Sequence, residues 1–151
     1  LDFQVSGRFE WKRLDEGWLI DDSYNANPGS FRGVLQSIRF MHPKTPLIAV
    51  IGPMAELGEN AEQLHKEVGE VICHSGCKKL LVLGGSLGES YLEGWKNAGG
   101  PKENAKRFES LEELQNDFQQ DWDQKSIVLV KGSRSAAMER FVKAILNHES
   151  E

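Results

Sequence analysis

Apolar positions along this chain switch repeatedly between a two-residue period and a three-to-four-residue period, and the switches predict its elements in order. Phe9 to Leu14 alternates and meets Gly17 to Asp22 across Asp15-Glu16-Gly17, which predicts a hairpin. Asn27-Pro28 predicts a helix start, with Asn able to cap and Pro suited to the first helical position. Phe31, Leu35, Ile38 and Met41 form that helix's apolar stripe, and His42-Pro43 ends it. Pro46 to Ile51 is a short apolar strand, followed by a loop to Gly58 and a helix from about Asn60 to Ser75 carrying Leu64, Val68, Val71 and Ile72 on one face. Leu80 to Leu83 is a further strand, turning at Gly84-Gly85-Ser86 into a helix through Tyr91 and Trp95 that Ala98-Gly99-Gly100-Pro101 breaks. Arg107-Phe108 predicts a short edge strand. Ser110 and Glu113 predict a capping box for a helix to about Gln119. Ser126 to Val130 is the last strand and Ser135 to Asn147 the last helix, with Met138, Phe141, Val142 and Ile145 buried.

Apolar strands alternating with amphipathic helices predict an α/β fold: a mostly parallel sheet of about six strands, helices on both faces, and the opening hairpin as an antiparallel edge. The 151 residues suit one domain, and 39% hydrophobic content is enough for a core. A net charge of −5 argues against general nucleic-acid binding, which needs a basic field. The longest apolar run, Leu47 to Ile51, is far short of the ~20 residues that span a bilayer. With neither a basic n-region nor an apolar h-region at the start, the expectation is a cytoplasmic chain without a signal peptide; its start at Leu1 reads as a piece of something longer. Cys73 and Cys77 have no second Cys or His pair to complete a zinc site, so two reduced, mostly buried thiols are expected and no metal.

In an open parallel sheet, ligands bind beyond the carboxyl ends of the strands. Four segments fall there. Asp21-Asp22-Ser23-Tyr24-Asn25-Ala26-Asn27-Pro28 is richer in carboxylates, amides and hydroxyls than a turn requires; capping explains Asn27 but not Asp22, Tyr24 or Asn25. Gly52-Pro53-Met54-Ala55-Glu56-Leu57-Gly58 reads as a connector, with Glu56 able to bind an ammonium group. Lys131-Gly132-Ser133-Arg134-Ser135 sets two cations and two hydroxyls at an expected helix N-terminus. Cations oppose the helix dipole there, so an anion site is the better account of them. Arg134 could hold a carboxylate through two parallel hydrogen bonds. Gly84-Gly85-Ser86-Leu87-Gly88 does not have the dinucleotide spacing, and the chain has no GxxxxGK[ST] phosphate loop.

Taken together, LIDDSYNANPGS, GPMAELGENAEQLHKEVG and VLVKGSRSAAMERFV resemble, in order and spacing, the C-terminal domain of the Mur ligases, specifically those that add D-alanyl-D-alanine. Gly7-Arg8 resembles the family's hinge motif, so residues 1–8 are expected to be an inter-domain hinge remnant and residues 9–151 the domain proper. The resemblance implies a Rossmann-like fold and an ATP-dependent amide ligase. Such an enzyme phosphorylates the carboxylate of UDP-N-acetylmuramoyl-tripeptide and lets the amine of D-alanyl-D-alanine attack the acyl phosphate, in the synthesis of peptidoglycan precursors. The absent phosphate loop fits that picture: ATP and Mg2+ are held mainly by an upstream ATPase domain, the UDP-sugar by another, and this domain closes over them. By the same resemblance Arg8 reaches the ATP phosphates and Asp22 the ribose. Tyr24, Asn25 and Asn27 border the nucleotide and the dipeptide. Lys131, Ser133 and Arg134 receive the dipeptide carboxylate, and Arg8, Asp22 and Lys131 are the expected catalytic set. His65 is expected to be a packed or surface helix residue. The chain departs from the family at Pro53, where GDMxELG has Asp, and so lacks a backbone donor and a carboxylate there. Sister ligases that add diaminopimelate or lysine, or build cyanophycin or folylpolyglutamate, differ at SYNANP and KGSR. A non-catalytic nucleotide- or peptide-binding module is the reading from another class.

Overall fold

The structure, a computed structural model, describes residues 6–149, the side chain of Glu149 excepted. Residues 1–5 of the expected hinge segment lie outside the described residues. The strands are β1 (Glu10–Leu14), β2 (Gly17–Asp22), β3 (Leu47–Ile51), β4 (Lys79–Leu83), β5 (Ala105–Phe108) and β6 (Ile127–Lys131), in one sheet of order β1-β2-β6-β3-β4-β5. Only β1 and β2 pair antiparallel; every other neighbouring pair is parallel. The helices are α1 (Pro28–Met41), α2 (Ala61–His74), α3 (Ser86–Asn97), α4 (Leu111–Gln120) and α5 (Glu139–Glu149).

Strand β3, in the interior of the sheet, is apolar at every position because both its faces are covered. Leu47, Ala49 and Ile51 of β3 point into one core with Phe31, Leu35 and Ile38 of α1, Val68 and Ile72 of α2, and Tyr91 and Trp95 of α3. Ile48 and Val50 point the other way, into a second core with Leu114 and Phe118 of α4 and Phe141, Val142 and Ile145 of α5. Burying each of these large side chains contributes about 1.5–3 kcal/mol. On the first face α2 and α3 pack very closely: a methyl group at Gly69 would sit 2.1 Å from the Tyr91 carbonyl oxygen.

Two expectations need correction. Met41 is not part of the buried stripe: it is 48% exposed and Phe40 89%, so the stripe ends at Ile38, the last buried residue of α1. The last helix does not run from Ser135. A three-residue 3-10 turn, Arg134–Ala136, ends at Ala137 in the left-handed conformation (φ 52°, ψ 46°), and α5 begins after it at Glu139. The break lets Met138 drop against the backbones of Gly52 and Gly132 at the ends of β3 and β6. At α4, the Ser110 hydroxyl accepts from the Glu113 N–H, one half of the expected capping box.

Candidate functional site

Parallel register brings the ends of β2, β6 and β3 level, with Asp22 opposite Lys131 and Lys131 opposite Ile51. Beyond this edge lies a cavity of about 410 Å³ lined by Arg8, Asp22, Tyr24, Asn25, Asn27 and Lys131 together with the outer side of α1 at Ser30, Val34 and Ser37. Six of the eight expected site residues therefore meet there. Ser133 and Arg134 are outside its lining.

Asp22 and Lys131 are partners. Lys131 Nζ donates to Asp22 Oδ2 at 2.6 Å and to the Asn25 carbonyl at 3.1 Å, and the Lys131 residue is 1% exposed. Burial lowers the Lys131 pKa, while the hydrogen bond and charge of Asp22 raise it. The second Asp22 oxygen accepts from the Phe9 N–H at 2.9 Å, so this carboxylate ties the segment after Gly7-Arg8 to both β2 and β6. Phe9 itself has φ 47°, which starts β1 one residue later than the pattern predicts. The neighbouring Asp21 takes the Ser23 N–H and hydroxyl, at 3.2 and 2.6 Å, and is spent on the turn.

Gly7 is seated directly on this turn. Its carbonyl accepts from the Tyr24 N–H at 2.9 Å and its φ is 83°. A Cβ there would meet Ser23 Oγ at 2.9 Å, so only glycine combines this conformation with this approach. The placement carries Arg8 to the face of Tyr24, its guanidinium carbon 4.3 Å from the ring centre. Arg134 reaches the same ring from the other end of the chain, at 4.9 Å. Among the described residues neither guanidinium has a carboxylate within ion-pair distance; the ion pairs engage Lys66, Lys79, Lys106, Arg107 and Lys131 instead. Two unneutralised cations on one aromatic ring form a locus that an anion stabilises.

Asn27 caps α1: its side chain accepts from the Ser30 N–H at 2.9 Å and Ser30 Oγ accepts from the Asn27 N–H at 3.0 Å, a reciprocal box that the sequence reading did not foresee. Asn25 is exposed, and its side-chain oxygen accepts from the Ala26 N–H. Ser133 is buried, its hydroxyl 3.0 Å from that of Ser135. The helix N-terminus expected behind Ser133 and Arg134 is replaced by the short turn described above, because Ala137 leaves the helical conformation; the positive charge of this loop therefore comes from Arg134. Glu56 is exposed at φ 59°, away from the cavity. Pro53 supplies no N–H, but its carbonyl accepts from the Ser133 N–H at 2.9 Å.

The sequence reading missed the Asp22–Lys131 bond, although its signal was there: a lysine ending an otherwise apolar central strand has to find a carboxylate. Cys73 and Cys77 do not face each other as ligands. The first donates weakly toward the Ala98 carbonyl, while the second is buried against the Leu47 and Lys79 carbonyls. Among the described residues no three acidic, His or Cys side chains cluster in a metal-binding arrangement, and no helix is long and apolar enough to cross a membrane.

The geometry can be set beside known proteins. A chain from Escherichia coli K12 named UDP-N-acetylmuramoyl-tripeptide--D-alanyl-D-alanine ligase is 37% identical over 143 residues, covering 93% of this chain and 30% of the ligase. The ligase of the same name from Rickettsia prowazekii is 29% identical over 138 residues, 91% of this chain and 29% of that one. This chain thus spans under a third of the relatives it matches. A crystal structure of MurF from Acinetobacter baumannii superposes with a TM-score of 0.79 at 26% identity, over 95% of this chain and 31% of that one. The family model described as Mur ligase, glutamate ligase domain, matches residues 7–134, from Gly7 through Arg134. The chain belongs to the Mur ligase family.

Proposed function

We propose that this chain is the C-terminal, closing domain of an ATP-dependent ligase that joins D-alanyl-D-alanine to UDP-N-acetylmuramoyl-tripeptide in cytoplasmic peptidoglycan precursor synthesis. The observation that carries the reading is the pair of guanidiniums, Arg8 and Arg134, on the Tyr24 ring at the mouth of the cavity. The reaction brings two anions to this face, the ATP phosphates and the dipeptide carboxylate, and the two arginines belong to different ends of the chain. Arg8, next to the hinge glycine, takes the phosphates. Arg134 takes the dipeptide carboxylate and holds its amine toward the acyl phosphate. Removing rotational freedom from an attacking amine is a large part of what an enzyme contributes to such a step.

Asp22 and Lys131 hold each other in addition to the ligand roles that the resemblance implies. Their mutual bond occupies one Asp22 oxygen and one Lys131 proton, so they fix the hinge-side backbone first and offer a ligand only their remaining valences. Asn25 and Asn27, exposed at the rim, border nucleotide and dipeptide. ATP would supply the phosphoryl group and Mg2+ would screen its charge; Arg8 and Arg134 of this domain fit the phosphates and other anions, whereas a metal ion would be held by an upstream ATPase domain. Residues 1–8 serve as the hinge to that domain, and a further upstream domain holds the UDP-sugar.

The test uses the ligase assembled with its upstream domains. Replacing Arg134 with Ala removes a charge-assisted hydrogen bond worth about 1.5–3 kcal/mol, so the KM for D-alanyl-D-alanine should rise about 10- to 100-fold. The KM for ATP should change less than about threefold. Equal effects on both would place the carboxylate elsewhere.

A further inference from the structure

The loop that joins β3 to α2 begins Gly52-Pro53-Met54, and two buried side chains outside the cavity hold it. His65, on α2 and wholly buried, accepts the Met54 N–H at Nε2, 2.9 Å away. Its Nδ1 lies 2.6 Å from the Ala61 carbonyl oxygen one turn earlier. A carbonyl can only accept, so Nδ1 carries the proton and Nε2 the lone pair: a neutral ring in one tautomer. Burial lowers the pKa of this histidine, with the Ala61 carbonyl acting in the opposite sense. Tyr91 of α3 meets the imidazole edge-on, centroids 4.8 Å apart, and its hydroxyl donates to the Gly52 carbonyl at 3.0 Å.

The other side of the same three residues faces the loop after β6. The Gly52 N–H donates to the Lys131 carbonyl at 2.8 Å, and the Pro53 carbonyl accepts from the Ser133 N–H at 2.9 Å. Because residue 53 is proline, the loop has two backbone donors here, Gly52 and Met54, and both are engaged. Gly52-Pro53-Met54 is thus gripped from below by His65 and Tyr91 and in turn grips Ser133, the residue preceding Arg134.

We propose that His65 is a positioning residue for the anion site: by accepting the Met54 N–H it fixes the Pro53 carbonyl that holds Ser133, and so sets where Arg134 stands. The clamp is independent of the ligand; only the identity of the anion rests on the function proposed above. A rigid ring that donates at one nitrogen and accepts at the other spans helix carbonyl and loop amide without flexible torsions. Phenylalanine fills the same volume but leaves the buried Met54 N–H unpaired, whereas the glutamine side-chain oxygen can reach the place of Nε2.

Three forms of the chain, unaltered, H65F and H65Q, are compared by amide hydrogen exchange. In H65F the Met54 and Ser133 amides should exchange about tenfold faster or more, while Val128 and Leu129 inside β6 keep their protection; H65Q should restore both loop amides to within about threefold. Fast Met54 with unchanged Ser133 would overturn the proposal, and so would equal acceleration of the β6 amides, which marks a merely structural residue. Should H65F fail to fold, the imidazole nitrogen spectrum of the unaltered chain decides: protonated Nδ1 and bare Nε2 at neutral pH are expected, and the opposite tautomer overturns the clamp. In the assembled ligase, H65F should raise the dipeptide KM about tenfold with the ATP KM unchanged, and H65Q should rescue it. An intact clamp in exchange, combined with an R134A enzyme indifferent to dipeptide, would sink the functional reading and leave the clamp standing.

Discussion

Replacing Lys131 with Met tests the buried pair on which the site is built. Met keeps most of the length and volume of the lysine stem and removes only the ammonium group. In the wild type that group sits 2.6 Å from Asp22 Oδ2 and 3.1 Å from the Asn25 carbonyl, with the lysine side chain 2% exposed and that of Asp22 11%. After substitution, Asp22 remains at the carboxyl edge with the Phe9 N–H as its one donor in the described structure. Breaking a buried pair from one side costs about 3–5 kcal/mol, chiefly because a desolvated charge is stranded. Against a total stability of about 5–15 kcal/mol that is a large fraction. In urea, with a slope of about 2 kcal/mol per molar for a chain of this size, the midpoint should fall by about 1.5–2.5 M. Asp22→Asn should lose a similar amount by stranding the ammonium. The double variant K131M/D22N strands no charge, so it should recover at least about 2 kcal/mol relative to the sum of the singles. Equilibrium unfolding followed by tryptophan fluorescence supplies all four corners of the cycle. Additive losses, or single variants within about 1 kcal/mol of wild type, would refute the claim that the pair is coupled and desolvated.

Two further outcomes follow from packing and burial. Gly69→Ala places a methyl group 2.1 Å from the Tyr91 carbonyl oxygen, so α2 and α3 must separate. Calorimetry should show a loss of about 1–3 kcal/mol or more, and an unchanged melting temperature would contradict the close approach. Burial pushes the Cys77 thiol up to about 12, and that of the less buried Cys73 also rises. Unfolded thiols ionise from about 8.5 upward, so a disulfide-exchange reagent at pH 8 should label Cys73 slowly and spare Cys77 until denaturant is added. Immediate labelling of both in the native chain would show that Cys77 is not sealed in the core.

The alternation of apolar strands with helical stripes determined the layers of this protein, because periodicity is a local property of the chain. Five apolar residues in a row, Leu47 to Ile51, can be accommodated only where both sheet faces are covered, and Asn27-Pro28 caps a helix wherever it is placed. The polar loops at the strand ends were legible for the same reason: their residues exceed what turns require. Family resemblance added the joining of Gly7-Arg8 to this site, which no spacing could supply. Tertiary structure decided the rest. It made Asp22 and Lys131 each other's partners, since parallel register sets residues 109 positions apart side by side. It brought Arg8 and Arg134 to one ring, turned the expected last helix into a short turn and a later helix, and buried His65 beneath a loop that the sequence presents as a plain connector. Each of these depends on which faces meet in space, and a one-dimensional pattern carries the faces but not their meetings.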